Sequence, residues 1–208
     1  MKKTFEALLL TLGLALAAVP AHAAPAEETE PAVGEPAPDF TLTDVNGKAV
    51  SLSAFKGKHV VLEWTNPDCP FVKKHYDSGN MQALQKEFAA RGVAWLSINS
   101  SAPGKQGNYP PKEWLKILAE KGSAADATLL DPRGEVGRLY GAKTTPHMFV
   151  VDPKGTLIYA GAIDDIASAD PADIAKANNY VRAALNEART GKPVRAPSTK
   201  PYGCSVKY

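Results

Sequence analysis

Two cysteines, Cys69 and Cys204, carry the reactive chemistry that this sequence offers. Cys69 closes the stretch Val60-Val61-Leu62-Glu63-Trp64-Thr65-Asn66-Pro67-Asp68-Cys69-Pro70-Phe71-Val72. It reads as a buried strand, a tight loop and the first turn of a helix. Val60 to Leu62 is a β-branched apolar run of the kind that fills a covered parallel strand. Asn66-Pro67-Asp68 stops it with turn-forming residues. Pro70 suits the first position of a helix, where its missing N–H costs nothing. The Cys69 sulfur is therefore expected at a helix N-terminus, where unpaired N–H groups and the positive end of the dipole favour a thiolate. A thiolate is the nucleophile in disulfide exchange and in peroxide reduction. Against this stands the reading of Cys69 as a small buried hydrophobe. Asp68, next to the sulfur, opposes thiolate formation, so sequence alone does not set the thiol pKa.

The redox compartment follows from the N-terminus. Lys2 and Lys3 form a basic start, Ala7 to Val19 is apolar but short for a membrane span, and Ala21-His22-Ala23 is a small-x-small cleavage site. Residues 1–23 read as a secretory signal peptide, and 24–38, rich in Ala, Pro and Glu, as a flexible leader. The chain is then expected to be periplasmic, in an oxidising compartment. No later stretch is long and apolar enough for a membrane helix, so no membrane insertion is expected after cleavage. Two cysteines in an exported protein make a Cys69–Cys204 disulfide the default hypothesis. Of the 24 Lys and Arg and 22 Asp and Glu, cleavage would leave 22 and 21, a net of +1. That balance argues against a nucleic-acid partner.

The elements that must position Cys69 alternate in type. Phe40 to Thr43 and Val50 to Leu52, joined by Asn46-Gly47, predict a hairpin ahead of the main sheet. A helical stretch runs from Pro70 to Arg91, with a kink or restart expected at Asp77-Ser78-Gly79-Asn80. Val93 to Asn99 is the next strand, Pro110-Pro111 opens a helix, Thr128 to Leu130 is a short strand and Glu135 to Tyr140 a short helix. Met148 to Val151 and Thr156 to Tyr159 form a hairpin around Asp152-Pro153-Lys154-Gly155. One long helix is expected from Asp170-Pro171 to Ala188, stopped by Gly191-Lys192-Pro193. Residues 39–190 thus form one α/β domain with a mixed central sheet flanked by helices. Residues 191–208 form an extended tail carrying Cys204.

At this point the chain resembles the thioredoxin superfamily over roughly Val33 to Leu185. Val33 to Leu42, Phe55-Lys56-Gly57-Lys58 and Asp152-Pro153-Lys154-Gly155 resemble its peroxiredoxin and thiol-disulfide reductase branch. The resemblance implies a thioredoxin fold, with Thr145-Pro146 as the cis-proline loop that faces the active cysteine and presents backbone to substrate. Trp64, Asn66 and Asp68 are expected to shape the loop around Cys69, with Trp64 and Asn66 on its substrate side. The chain departs from Cys-x-x-Cys by placing Val72 where the second cysteine would stand. It departs from the peroxidase pattern Pro-x-x-x-Thr-x-x-Cys as well, having Leu62 and Asn66 at the Pro and Thr positions. It is most similar to a peroxiredoxin-like (AhpC/TSA-type redoxin) subgroup that keeps the first cysteine and ends in Gly-Cys-x-x-Lys-aromatic, here Gly203 to Tyr208.

The expected activity is thiol-disulfide exchange or peroxide reduction through Cys69, with Cys204 resolving the mixed disulfide or sulfenic acid. Its substrates would be protein thiols and disulfides or peroxide, and a separate thiol reductant would complete the cycle. The alternative is a non-catalytic peptide-binding module in which Cys69–Cys204 is a staple worth about 3–5 kcal/mol. A third reading, a copper chaperone using Cys69 with His75 or His147, lacks the second loop cysteine. Lys73, Lys74 and His75 either lower the thiol pKa or form a solvated face, and His147 either lines the site or is an ordinary loop histidine. No organic cofactor is expected, because Gly134 to Gly141 lacks the spacing of a phosphate-binding loop.

Overall fold

Side-chain alternation along one strand divides the core into two halves. The computed structural model describes residues 30–208, so the expected signal peptide and the first part of the leader lie outside the described residues. Strand β3 (Val60–Trp64) is buried along its whole length. Val60, Leu62 and Trp64 point to one face of the sheet and Val61 to the other, as a two-residue period requires. The first face packs with Leu96, Ile98, Tyr140, Phe149 and Val151, and the second with Met81, Leu84, Phe88, Trp95, Val181 and Leu185.

Seven strands form the central sheet. They are β1 (Thr41–Asp44), β2 (Ala49–Ser51), β3, β4 (Ala94–Asn99), β5 (Ala127–Leu130), β7 (His147–Val151) and β8 (Leu157–Gly161), with β6 (Thr144–Thr145) outside it. Their order is β2-β1-β5-β4-β3-β7-β8. Pairs β3–β4 and β4–β5 are parallel, whereas β3–β7 and β7–β8 are antiparallel. This mixed sheet with helices α1 (Pro70–Asp77), α2 (Asn80–Ala89), α3 (Pro111–Lys121), α4 (Glu135–Leu139) and α5 (Tyr180–Arg189) is a thioredoxin-like α/β fold. The N-terminal hairpin does not stand ahead of the sheet but joins it, because β1 pairs antiparallel with β5.

The restart expected within Asp77–Asn80 falls at Gly79, whose φ of 77° no helix can continue, so that α2 begins at Asn80. Two other stretches differ from the sequence expectation, each for a local reason. The last helix divides into a 3-10 turn over Pro171–Lys176 and α5, because Ala177 is extended and Asn179 caps α5 with its side chain on Arg182 N–H. Residues 33–37, expected in a flexible leader, lie against β8. Gly34 N–H donates to Leu157 O at 2.8 Å and Leu157 N–H to Glu35 O at 2.9 Å.

The tail returns across the domain and adds strand β9 (Cys204–Ser205), which pairs antiparallel with β6. On the way it meets the edge of β8, where Ala160 N–H donates to Pro197 O at 3.0 Å and Thr199 N–H to Ala160 O at 3.1 Å. Gly161 is needed there, since a Cβ would lie 2.2 Å from Thr199 Oγ1.

Gly79 separates strain from crowding, because nothing lies within 4 Å of a Cβ built there. Gly79→Ala should cost about 1–2 kcal/mol through its left-handed backbone alone, and Gly79→Asn less. Urea denaturation checks both, and equal losses for the two variants would contradict this origin.

Candidate active site

Cys69 is the N-cap of α1, with Pro70 at the first helical position. Its N–H donates to Asn66 O at 3.1 Å, and its carbonyl accepts from the N–H groups of Val72 and Lys73. The turn before it is held by Asn66, whose Oδ1 accepts from Asp68 N–H at 3.0 Å while its Nδ2 donates to Gln106 O at 3.1 Å. Gly107 packs on the Asn66 side chain so closely that a Cβ would lie 2.4 Å from Oδ1. Asp68 accepts from the Tyr109 hydroxyl at 2.8 Å. The strand fixes where the helix begins, and the loop from Ser100 to Tyr109 braces the turn from the outside.

The sulfur faces two groups from distant parts of the chain. Cys69 Sγ lies 3.0 Å from Thr145 O, on the residue before the cis Pro146. It lies 2.7 Å from Cys204 Sγ, against about 2.05 Å for a formed disulfide. Both cysteines are free thiols. Cys204 reaches this position because it is the residue paired with Thr145 in the β6–β9 ladder. Gly203 makes the approach possible: its φ is 137°, and a Cβ would lie 2.1 Å from Thr145 O. Beyond the ladder, Val206 N–H donates to Lys143 O and Ala102 N–H to Lys207 O. Tyr208 ends the chain with its hydroxyl on Ala142 O at 2.8 Å and its ring under the Arg138 guanidinium, 4.5 Å away. Cys69 is 0% exposed, with Cys204 and Thr145 against its sulfur.

Electrostatics separate the two thiols. Burial works against ionisation of Cys69, but hydrogen bonding from the side chain of Cys204 and from the backbone of Cys204 and Val72 outweighs it. The net effect holds Cys69 below the usual thiol range. Burial, then the hydrogen bond and negative charge of Cys69, push Cys204 up to about 11. The two shifts run in opposite directions and make Cys69 the more acidic thiol of the pair.

Other expected site residues fall into distinct places. Trp64 ends β3 fully buried, with Nε1 donating to Ser100 Oγ at 3.0 Å and its ring 5.1 Å from that of Phe149. It supports the loop from within the core. Asn66, 1% exposed, likewise acts through the turn. Lys74 and His75 are not a solvated face: both are buried with Asp164, whose Oδ2 lies 3.7 Å from Lys74 Nζ and 3.8 Å from His75 Nε2. Burial, with the Lys74 charge adding to it against the pull of Asp164, pushes His75 down to about 4, so it is neutral near pH 7. His147 opens β7 and accepts from Lys143 N–H, and burial followed by the Lys143 charge pushes it down to about 3. Among the described residues no group of three or more His, Cys, Asp or Glu is placed to hold a metal ion.

One functional-site neighbour escaped the sequence reading. Glu63 is fully buried in β3, and its carboxyl accepts from Trp95 Nε1 at 2.8 Å, Ser97 Oγ at 3.1 Å and the Tyr76 hydroxyl at 3.0 Å. Burial raises its pKa against the pull of these donors. The cluster ties α1, through Tyr76, to β3 and β4 beneath the cysteine. The signal was a single charge inside an otherwise apolar strand, which burial permits only when it is fully hydrogen-bonded.

The fold and the paired thiols define a thioredoxin-fold redoxin. The chain belongs to the AhpC/TSA family, which matches residues 33–160. It is similar to the thiol-disulfide oxidoreductase ResA of Bacillus thuringiensis subsp. konkukian, 27% identical over 132 residues, 64% of this chain and 70% of that protein. It is also similar to the chloroplastic peroxiredoxin Q of Oryza sativa subsp. japonica, 30% identical over 61% of this chain and 57% of that one. The crystal structure of an uncharacterized conserved protein from Geobacillus kaustophilus superposes with a TM-score of 0.72 at 30% identity, covering 85% of this chain and 92% of that chain.

Two outcomes test the site. In the reduced protein the thiols should titrate in two separate steps, the first below the usual thiol range and the second near 11. Thiolate absorbance with NMR of labelled cysteine reads both, and one joint step near the ordinary value would contradict the arrangement. Gly203→Ala should release β9 from β6, seen as faster amide exchange over residues 203–206, while α1 and the central sheet stay protected.

Proposed function

We propose that this redoxin is an oxidoreductase of the periplasm in which Cys69 attacks a disulfide or a peroxide and Cys204 resolves the product. One observation carries the reading: the only two cysteines of the chain stand sulfur to sulfur, 135 residues apart in sequence, across a two-residue strand pairing. Toward a disulfide, the Cys69 thiolate forms a mixed disulfide and expels one substrate thiolate. Cys204 then loses its proton and attacks the Cys69 sulfur, expelling the second. Toward a peroxide, the Cys69 thiolate attacks the terminal oxygen, an S–O bond forms to give the sulfenic acid, and the O–O bond breaks, its other oxygen leaving with a proton as alcohol or water. Cys204 then forms the Cys69–Cys204 bond with loss of water. Either route ends in one internal disulfide, which an external dithiol reduces by two electrons. Thr145 and Pro146 form the wall against which the substrate sulfur or oxygen would be presented.

A second reading is a peptide-binding module whose Cys69–Cys204 bond is structural. The tail's attachments, from Pro197 on β8 to Tyr208 beside Arg138 of α4, favour it in that they hold Cys204 fixed beside Cys69, as a permanent bond requires.

Intact mass separates the two. The reduced protein treated with one equivalent of hydrogen peroxide or of a model disulfide should become two mass units lighter within seconds to minutes. Cys204→Ser should stop at a sulfenic acid or mixed disulfide on Cys69, and Cys69→Ser should not react. A reduced protein inert to both oxidants, or a native bond with a potential below about −300 mV, would favour the structural reading.

A further inference from the structure

The tail residue two positions before Cys204 is seated on the helix that carries Cys69. Tyr202 packs its ring edge-on against Phe71, with centroids 5.9 Å apart, and lies 5.8 Å from Lys74 Nζ. Its hydroxyl donates to Asp164 Oδ1. The seat is built rather than incidental. Lys74 and Asp164 are buried, and Lys74 Nζ also donates to Ile166 O at 3.2 Å. Asp164 Oδ1 accepts in addition from Ile166 N–H at 3.1 Å. His75 turns Nδ1 toward Asn80 at 2.8 Å and leaves Nε2 facing Asp164 without a hydrogen-bond partner among the described residues.

Nothing in the chemistry at the sulfurs uses this cluster. A buried lysine and carboxylate are costly to desolvate, and here hydrogen bonds to Ile166 and from Tyr202 offset that cost. What they hold is Tyr202, and Gly203, the single residue between Tyr202 and Cys204, is pressed against Thr145 O. With Tyr202 fixed to α1 and Gly203 fixed to β6, the Cys204 sulfur has one place to go.

We propose that Tyr202 and its seat on Phe71, Lys74 and Asp164 are positioning residues that set the effective concentration of Cys204 at Cys69. The inference rests on the Cys204 resolving role only for its biological use; the positioning itself concerns the Cys69–Cys204 bond however that bond is employed. Loss of the hydroxyl alone weakens the seat, and loss of the ring removes it. A thiol held near its partner by noncovalent contacts loses effective concentration in proportion to the fraction of time it is released.

The test is the equilibrium of the Cys69–Cys204 disulfide in glutathione or dithiothreitol buffers, read by alkylation and intact mass on the whole protein. Tyr202→Phe should lower the effective concentration about tenfold, equivalent to a rise of about 30 mV in the two-electron potential. Tyr202→Ala should lower it about a hundredfold. In the Cys204→Ser background, both should leave Cys69 alkylation as fast as before or faster, since they uncover the sulfur. Gly47→Ala, which strains the β1–β2 turn at the sheet edge opposite β8, should leave the equilibrium unmoved. An effective concentration within twofold of the parent in both Tyr202 variants, or an equal shift in Gly47→Ala, would overturn the proposal. A protein that ignores peroxide and protein disulfides but still shows the Tyr202 shift would overturn the proposed redox function and leave the positioning role standing.

Discussion

The pairing of Thr145 with Cys204 is the contact on which the site depends. Each sulfur is fixed by a different kind of structure. Cys69 is set by the end of a buried strand and the start of a helix, so its position is as rigid as the core. Cys204 belongs to a tail without core of its own, and two residues of backbone ladder bring it into line. The ladder is short, and an isolated two-residue pairing is weak. It persists because the chain is held on both sides of it, at Thr199 and Tyr202 before and at Val206, Lys207 and Tyr208 after.

Beneath these contacts the chain buries more polar chemistry than a small domain needs for folding. Glu63 satisfies its carboxyl with donors from β4 and α1. Asp164 satisfies its own with Tyr202 and Ile166 while facing Lys74 and His75. Both clusters touch α1. A helix packed only by apolar contacts could slide or rotate slightly at small cost, whereas hydrogen-bonded groups fix one arrangement. The helix that begins at Cys69 is thereby held in register with the sheet below and with the tail beside it.

Much of this was legible in the sequence, and the parts that were not share a cause. Val60 to Trp64 announced a buried strand, Pro70 announced the helix start, and Gly79 the break, because each rests on local backbone chemistry. Thr145-Pro146 was assigned by resemblance alone, since a proline before a strand is ordinarily trans. Trp64 and Asn66 were placed near the cysteine, but their orientation into the core and the turn is a tertiary fact. Lys74 and His75 looked solvated because their counter-charge, Asp164, lies some ninety residues away. Tyr202 carried no sequence signal at all, and the docked residues 33–37 read as leader because their partners are on β8.

The separation of the two cysteines along the chain also fixes the order in which the site is assembled. Cys69 leaves the ribosome 135 residues before Cys204. At ordinary synthesis rates of about 5–20 residues per second that interval is roughly seven to twenty-seven seconds. During it the strand, helix and loop around Cys69 can assemble, while the sulfur that covers it does not yet exist. The nascent chain therefore passes through a stage in which the Cys69 sulfur stands open, until Cys204 is made and folds back against it.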